Sequence, residues 1–126
     1  MKKLIEEISV DEVSQIMDET MHDLKTIVQK KPFKYKTLAN GDKEIYLGKF
    51  NTLVKLRNEQ YMNLLHTFKG QTVTIGASRT NPPGGSLGEW LMKHITKTAI
   101  ASYIVPILLM DGYASLATER GKIRFN

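Results

Sequence analysis

The sequence predicts an α+β domain, and three observations carry that expectation. Apolar residues recur at helical spacing from Val10 to Ile27, the pair Asn40-Gly41 separates two short alternating runs, and a second pair of such runs flanks Thr118–Gly121. The 126 residues amount to one domain's length, and the 41% hydrophobic and 25% charged contents exclude a disordered or fibrous chain. Three segments are expected: an acidic amphipathic helix over 1–32, a basic aromatic hairpin over 33–50 and a helix-rich unit over 51–126.

Ser9 with Glu12 makes a capping box, so the first helix should start there. Its stripe of Val10, Val13, Met17, Thr20, Leu24 and Ile27 follows spacings of three and four, and acids crowd its first half while Lys25 and Lys30 close it. A helix over 10–29 is expected. That face packs either on its own domain or on a second copy or partner, with Val10, Val13, Met17, Leu24 and Ile27 as the contacts.

Pro32 ends the helix, and Phe33–Leu38 and Glu44–Leu47 then form a hairpin about Asn40-Gly41. Phe33 and Tyr35 alternate with Lys34 and Lys36. Either the aromatics cover the core while the lysines stay wet, or they stack on bases while the ammonium groups meet phosphates.

Asn51 is placed to cap a helix whose apolar face runs from Leu53 to Phe68, with Gly70 as its stop. Gln71–Ile75 alternates as a strand, Ser78–Gly85 is a loop, and Ser86 caps a helix through Leu87, Trp90, Leu91 and Ile95. Thr96 or Thr98 caps the next helix, which reaches Met110. Pro106 falls inside it, and an unkinked helix would lose about 3 kcal/mol there, so the element should bend or split. Tyr113–Ala117 and Lys122–Phe125 form the last hairpin.

Charge is unevenly divided. Residues 1–30 carry four lysines against seven acids, a balance of −3, whereas the rest carries fourteen basic residues against six acids, a balance of +8. Such a field attracts polyanions, nucleic acid being the usual one, although a solvated basic surface has the same composition.

From residue 51 the order helix, strand, helix, helix, strand, strand resembles the winged helix-turn-helix superfamily. The segment Thr96-Lys97-Thr98-Ala99-Ile100-Ala101-Ser102, followed by Leu108 and Asp111-Gly112-Tyr113, is similar to the family's third helix running into its wing. Arg120-Gly121-Lys122-Ile123-Arg124 is similar to the wing. The resemblance implies double-stranded DNA as partner and a transcriptional regulator, or a replication or partition accessory factor, as role. Thr96, Lys97, Thr98, Ala101 and Ser102 would then read the major groove, Arg120, Lys122 and Arg124 would meet the backbone or minor groove, and Arg79 and Lys93 would clamp flanking phosphates. A homodimer would suit a palindromic site. Alternatively, Ala101 and Ser102 are packing positions in a buried helix.

Enzyme chemistry finds no support in the pattern. Cysteine is absent, so there is no thiol nucleophile or thiolate metal site. His22, His66 and His94 fit no metal or catalytic spacing, Gly76–Gly85 lacks the Gly-Lys-Ser/Thr ending of a phosphate loop, and Ser86 sits in no GxSxG turn. No catalytic residue, metal or cofactor is expected. The longest apolar run, Ala99–Met110, is too short to span a bilayer, and the first residues turn acidic before a signal-peptide core forms, so a cytoplasmic location without membrane attachment is expected. Two alternatives stay open: a single-strand or RNA binder using the basic aromatic hairpin, and an adaptor or inhibitor acting through the N-terminal helix.

Overall fold

The computed structural model describes residues 20–78 and 80–126. Val10, Val13 and Met17 of the expected first helix, its Ser9 cap, and Arg79 lie outside the described residues. Four strands, β1 (His22–Lys25), β2 (Pro32–Thr37), β3 (Lys43–Leu47) and β4 (Thr52–Leu56), form an antiparallel meander in the order β1-β2-β3-β4. There follow α1 (Asn58–Phe68), β5 (Thr72–Thr74), α2 (Leu87–His94), α3 (Ala101–Met110), β6 (Ala114–Leu116) and β7 (Lys122–Phe125). The last three strands make a second antiparallel sheet, ordered β5-β7-β6. The described residues are thus α+β, with three helices and two antiparallel sheets.

Over the described residues 20–29 the helix expected over 10–29 is not formed. His22–Lys25 is a strand, with Leu24 opposite Phe33, and the chain then turns back through Lys30 at φ 57°. Thr26-Ile27-Val28 is a β-branched run that resists helix. The Thr26 Oγ1 accepts from the Lys31 amide at 2.9 Å, and the Thr26 amide donates to the Lys31 carbonyl at 2.9 Å, which closes the turn. Leu24 and Ile27 therefore pack on the core from a strand and a turn, not from a helical stripe.

The helix expected to be capped by Asn51 instead begins at Asn58, with Arg57 as its N-cap. Asn51 sits at φ 53° in the turn between β3 and β4, where asparagine tolerates a left-handed backbone, and Thr52–Leu56 pairs with β3. The start of α1 is satisfied by Asp42 in the β2–β3 turn, whose Oδ1 accepts from the Asn58 amide at 2.8 Å, and by Gln60 of its own first turn, whose Oε1 accepts from the Arg57 amide at 2.9 Å. A boundary between residues 50 and 51 would cut the β3–β4 hairpin. Phe33, Tyr35, Ile45 and Leu56 of the first sheet share one buried cluster with Leu64, Leu91, Ile104 and Ile123.

The hairpin about Asn40-Gly41, the strand before Ile75 and the terminal hairpin stand where expected. Ser86 caps α2 by accepting from the Glu89 amide at 3.1 Å. Two residues on, Gly88 donates its amide to the Ile75 carbonyl at 2.8 Å, and a Cβ there would lie 1.8 Å from the Gly76 carbonyl oxygen. Glycine at 88 is what allows α2 to start against β5.

Neither Thr96 nor Thr98 caps α3. Its N-cap is Ile100, and the Thr96 hydroxyl instead accepts from the Thr98 amide at 3.3 Å. Pro106 does not split the helix. A proline at that position leaves the Ser102 carbonyl without its helical donor, and the Ile27 amide supplies one at 3.3 Å. The helix defect is therefore a docking point for the β1–β2 turn. The first sheet lies along α3, with Phe33 edge-on to Tyr103 at 5.1 Å between ring centroids and the Tyr35 hydroxyl reaching Asp111 at 3.2 Å. Ala101, Ile104, Val105, Pro106, Ile107 and Leu108 are all buried, as expected of a helix that is apolar on every side.

Candidate nucleic-acid interface

In an up-and-down meander the first and third connections fall at the same end of the sheet. The β1–β2 turn (Thr26–Lys31) and the β3–β4 turn (Gly48–Asn51) are therefore neighbours, while the β2–β3 turn lies at the far end. The bond from Ile27 to Ser102 draws the entry to α3 to the same end. Between these segments lies a cleft of about 610 Å³, with Thr26, Gln29 and Lys31 on one side and Lys97, Thr98 and Ser102 on the other.

This end is rich in lysine among the described residues. Lys25, Lys30, Lys31, Lys49 and Lys97 are all exposed. Segments 24–33, 47–52 and 95–102, which build it, contain no Asp or Glu. Among the described residues five ammonium groups thus stand at this end, with Asp23 of β1 two residues from Lys25, and leave its local charge net positive.

The ten expected DNA contacts divide accordingly. Lys97, Thr98 and Ser102 come together in the cleft, and Thr96 stands half-buried beside them. Ala101 is 2% exposed and belongs to the core, so it cannot face a groove. Lys93 is exposed on the last turn of α2. Arg120 is exposed in the β6–β7 turn, Lys122 is paired with Glu119 at 3.0 Å, and Arg124 is exposed on β7 with its Nη1 3.5 Å from the Thr72 Oγ1. The β6–β7 turn reaches the cleft wall through β5: the Gly121 carbonyl accepts from the Ile75 amide, and Ala77, two residues on, lines the cleft.

Thr26, Gln29 and Lys31 were not distinguishable from a helix end by periodicity alone. The usable signal was the β-branched run followed by Lys-Lys-Pro, which favours a turn into an extended strand. Phe33 and Tyr35 are 3% and 1% exposed and cannot stack on bases. Tyr46 is half-buried, with its hydroxyl donating to the Glu44 carboxylate at 2.9 Å, which raises its pKa.

A second polar cluster lies toward the far end. The Lys43 side chain is 5% exposed, and its Nζ lies 3.0 Å from the Asp111 Oδ2 and 2.7 Å from the Thr37 Oγ1. It also stands over the Tyr35 and Tyr61 rings, 5.4 and 4.7 Å from their centroids. Both tyrosines donate to Asp111, at 3.2 and 2.8 Å. Burial first, and then the Asp111 carboxylate, push both phenols well above the ordinary tyrosine range. Lys43 alternates with Ile45 and Leu47 along β3, so its inward direction was readable from strand parity. This cluster ties the first sheet to α1 and to the end of α3.

No helix among the described residues is long and apolar enough to cross a membrane. No family model, curated protein or solved structure matches this chain.

Proposed function

We propose that this protein binds double-stranded DNA through its lysine-bearing end, with the sugar-phosphate backbone seated against the Lys31–Lys97 cleft and the β6–β7 turn alongside as a wing. The observation that carries the reading is the five-lysine surface built from segments free of carboxylates around a concave, hydroxyl-lined cleft. Phosphates are held by such ammonium and hydroxyl donors, and release of condensed counterions drives the association. From Asn58 onward the chain keeps the element order on which the winged-helix resemblance rests. The contact mode differs from a helix laid in the major groove, because the middle of α3 is covered by the first sheet and it is its entry, Lys97–Ala99 with Ser102 and Tyr103, that borders the cleft. The reading is thus of a backbone-gripping DNA accessory protein whose base preference is modest.

The test is fluorescence anisotropy of a labelled duplex across salt concentrations, using the intact chain. Affinity should fall steeply with salt, and Lys31→Ala and Lys97→Ala should each lower the log–log slope by about 0.9 for every phosphate left without its ammonium group. Both side chains are exposed, so neither change should disturb folding. No duplex binding at low salt, or two variants indistinguishable from the parent, would refute the reading. A single-stranded competitor that displaces the duplex at equal concentration would reassign the surface to unpaired nucleic acid.

A further inference from the structure

The two hairpin tips at the lysine-bearing end carry side chains that the fold does not use. Phe50, in the β3–β4 turn, is 82% exposed, and Val28, in the β1–β2 turn, is 75% exposed. Their projection into water gives up the stability that burying either side chain would bring. Each is bordered by lysine: Lys49 precedes Phe50, with its Nζ 5.2 Å from the ring centroid, and Lys30-Lys31 follow Val28 by two residues. The tips are centred two strand spacings apart, about 10 Å. Leu47, three residues before Phe50, lines the cleft, so the Cα of Phe50 lies within about 10 Å of it along the chain.

We propose that Phe50 is an apolar wedge that enters between adjacent base pairs of a duplex whose backbone lies in the cleft, bending the DNA, with Val28 pressing on the same groove about three base steps away. The inference rests on the duplex-binding reading and adds to it the residue that deforms the DNA. Apolar side chains flanked by cations act this way because unstacking one step is offset by the extra backbone that the bent duplex brings against the basic surface. Charge complementarity favours a polyanion as occupant, and the concave cleft beside the tips fits a cylindrical backbone better than a flat bilayer.

The experiment uses the intact protein with a duplex of about 25 base pairs carrying a donor and an acceptor dye at its ends, read by anisotropy for binding and by energy transfer for bending. The parent protein should raise energy transfer on binding. Phe50→Ala should abolish that rise, weaken binding about tenfold and flatten the salt slope, since the unbent duplex brings fewer phosphates to the lysines, and Phe50→Trp should retain the bend. Circular dichroism of the variants checks the fold, which Phe50 does not support. If the parent binds without bending, or Phe50→Ala bends as the parent does, the wedge is overturned while duplex binding stands. If the parent binds no duplex at low salt, both readings fall. Sedimentation of the parent but not of Phe50→Ala with phosphatidylserine vesicles, in the absence of bending, overturns the wedge and assigns the tips to an anionic membrane.

Discussion

Replacing Asp111 with alanine should be among the most damaging single changes in this protein. The carboxylate pairs with Lys43 at 3.0 Å and accepts from the Tyr61 and Tyr35 hydroxyls at 2.8 and 3.2 Å. Its removal leaves an ammonium group whose side chain is 5% exposed without its counter-charge, and two phenols without their acceptor. Breaking a buried pair from one side costs about 3–5 kcal/mol, and the 21% exposure of the Asp111 side chain points to the lower end, about 3 kcal/mol. Against a typical domain stability of about 5–15 kcal/mol, that is a large fraction. Urea unfolding followed by circular dichroism should show it: with a slope of about 1.5 kcal/mol per molar urea, the midpoint should fall by about 2 M. Lys43→Met in the Asp111→Ala background should recover at least half the loss, because the buried charge is then gone while its packing on the two rings remains. Duplex affinity of the folded variant should be unchanged, since the cluster is remote from the cleft. A loss below about 1 kcal/mol, or no recovery in the double variant, would refute the claim that the pair is buried and coupled.

Three further outcomes are expected. Tyr35 and Tyr61 hold their protons more tightly when folded than when unfolded, so their contribution is complete below the ordinary phenol pKa of about 10 and is lost as pH rises above it. Stability should drop by about 2.7 kcal/mol per pH unit from the two together, and absorbance at the tyrosinate band should show these two of the five tyrosines ionising only as the protein unfolds. Gly88→Ala places a methyl group against the Gly76 carbonyl, so thermal unfolding should report a loss of at least about 1–3 kcal/mol, and an unchanged melting temperature would mean that α2 and β5 are not in contact as described. Asp42→Ala removes the acceptor at the start of α1, and the same melt should register about 1 kcal/mol, whereas Asn51→Ala should leave α1's capping untouched.

Local chemistry was legible wherever one short segment decides the outcome. Asn40-Gly41 demands its hairpin turn, and Ser86 followed by Glu89 demands a helix start. What was not legible depended on distant pairing. Leu53 and Leu56 are three apart, which suits a helix face, but β3 offers Thr52–Leu56 a full ladder of partners, and pairing overrode periodicity. Leu24 and Ile27 continued the spacing of the stripe before them, yet β2 draws His22–Lys25 into a strand. For the site, Lys97, Thr98 and Ser102, on the outward face expected at the start of the third helix, do converge, while Ala101 does not. The uncharged run from Ala99 to Met110 held that answer, since a helix so largely apolar lies mostly buried, leaving Ser102 and Tyr103 of α3 beside the cleft. Lys31 required knowing which two turns of the meander share an end.

The bond between Ile27 and Ser102 has a bearing on how this molecule could drift over time. Because main-chain atoms make it, neither side chain need be kept for the bond to persist; the requirement falls on the imino ring four residues beyond Ser102. Pro106 thus acts as a spacer: it touches neither wall lysine, yet it helps decide how far apart they stand. An alanine at 106 would give the Ser102 oxygen a second donor from its own helix, in competition with the Ile27 amide, and so bear on the gauge of the gap without altering a single residue that lines it.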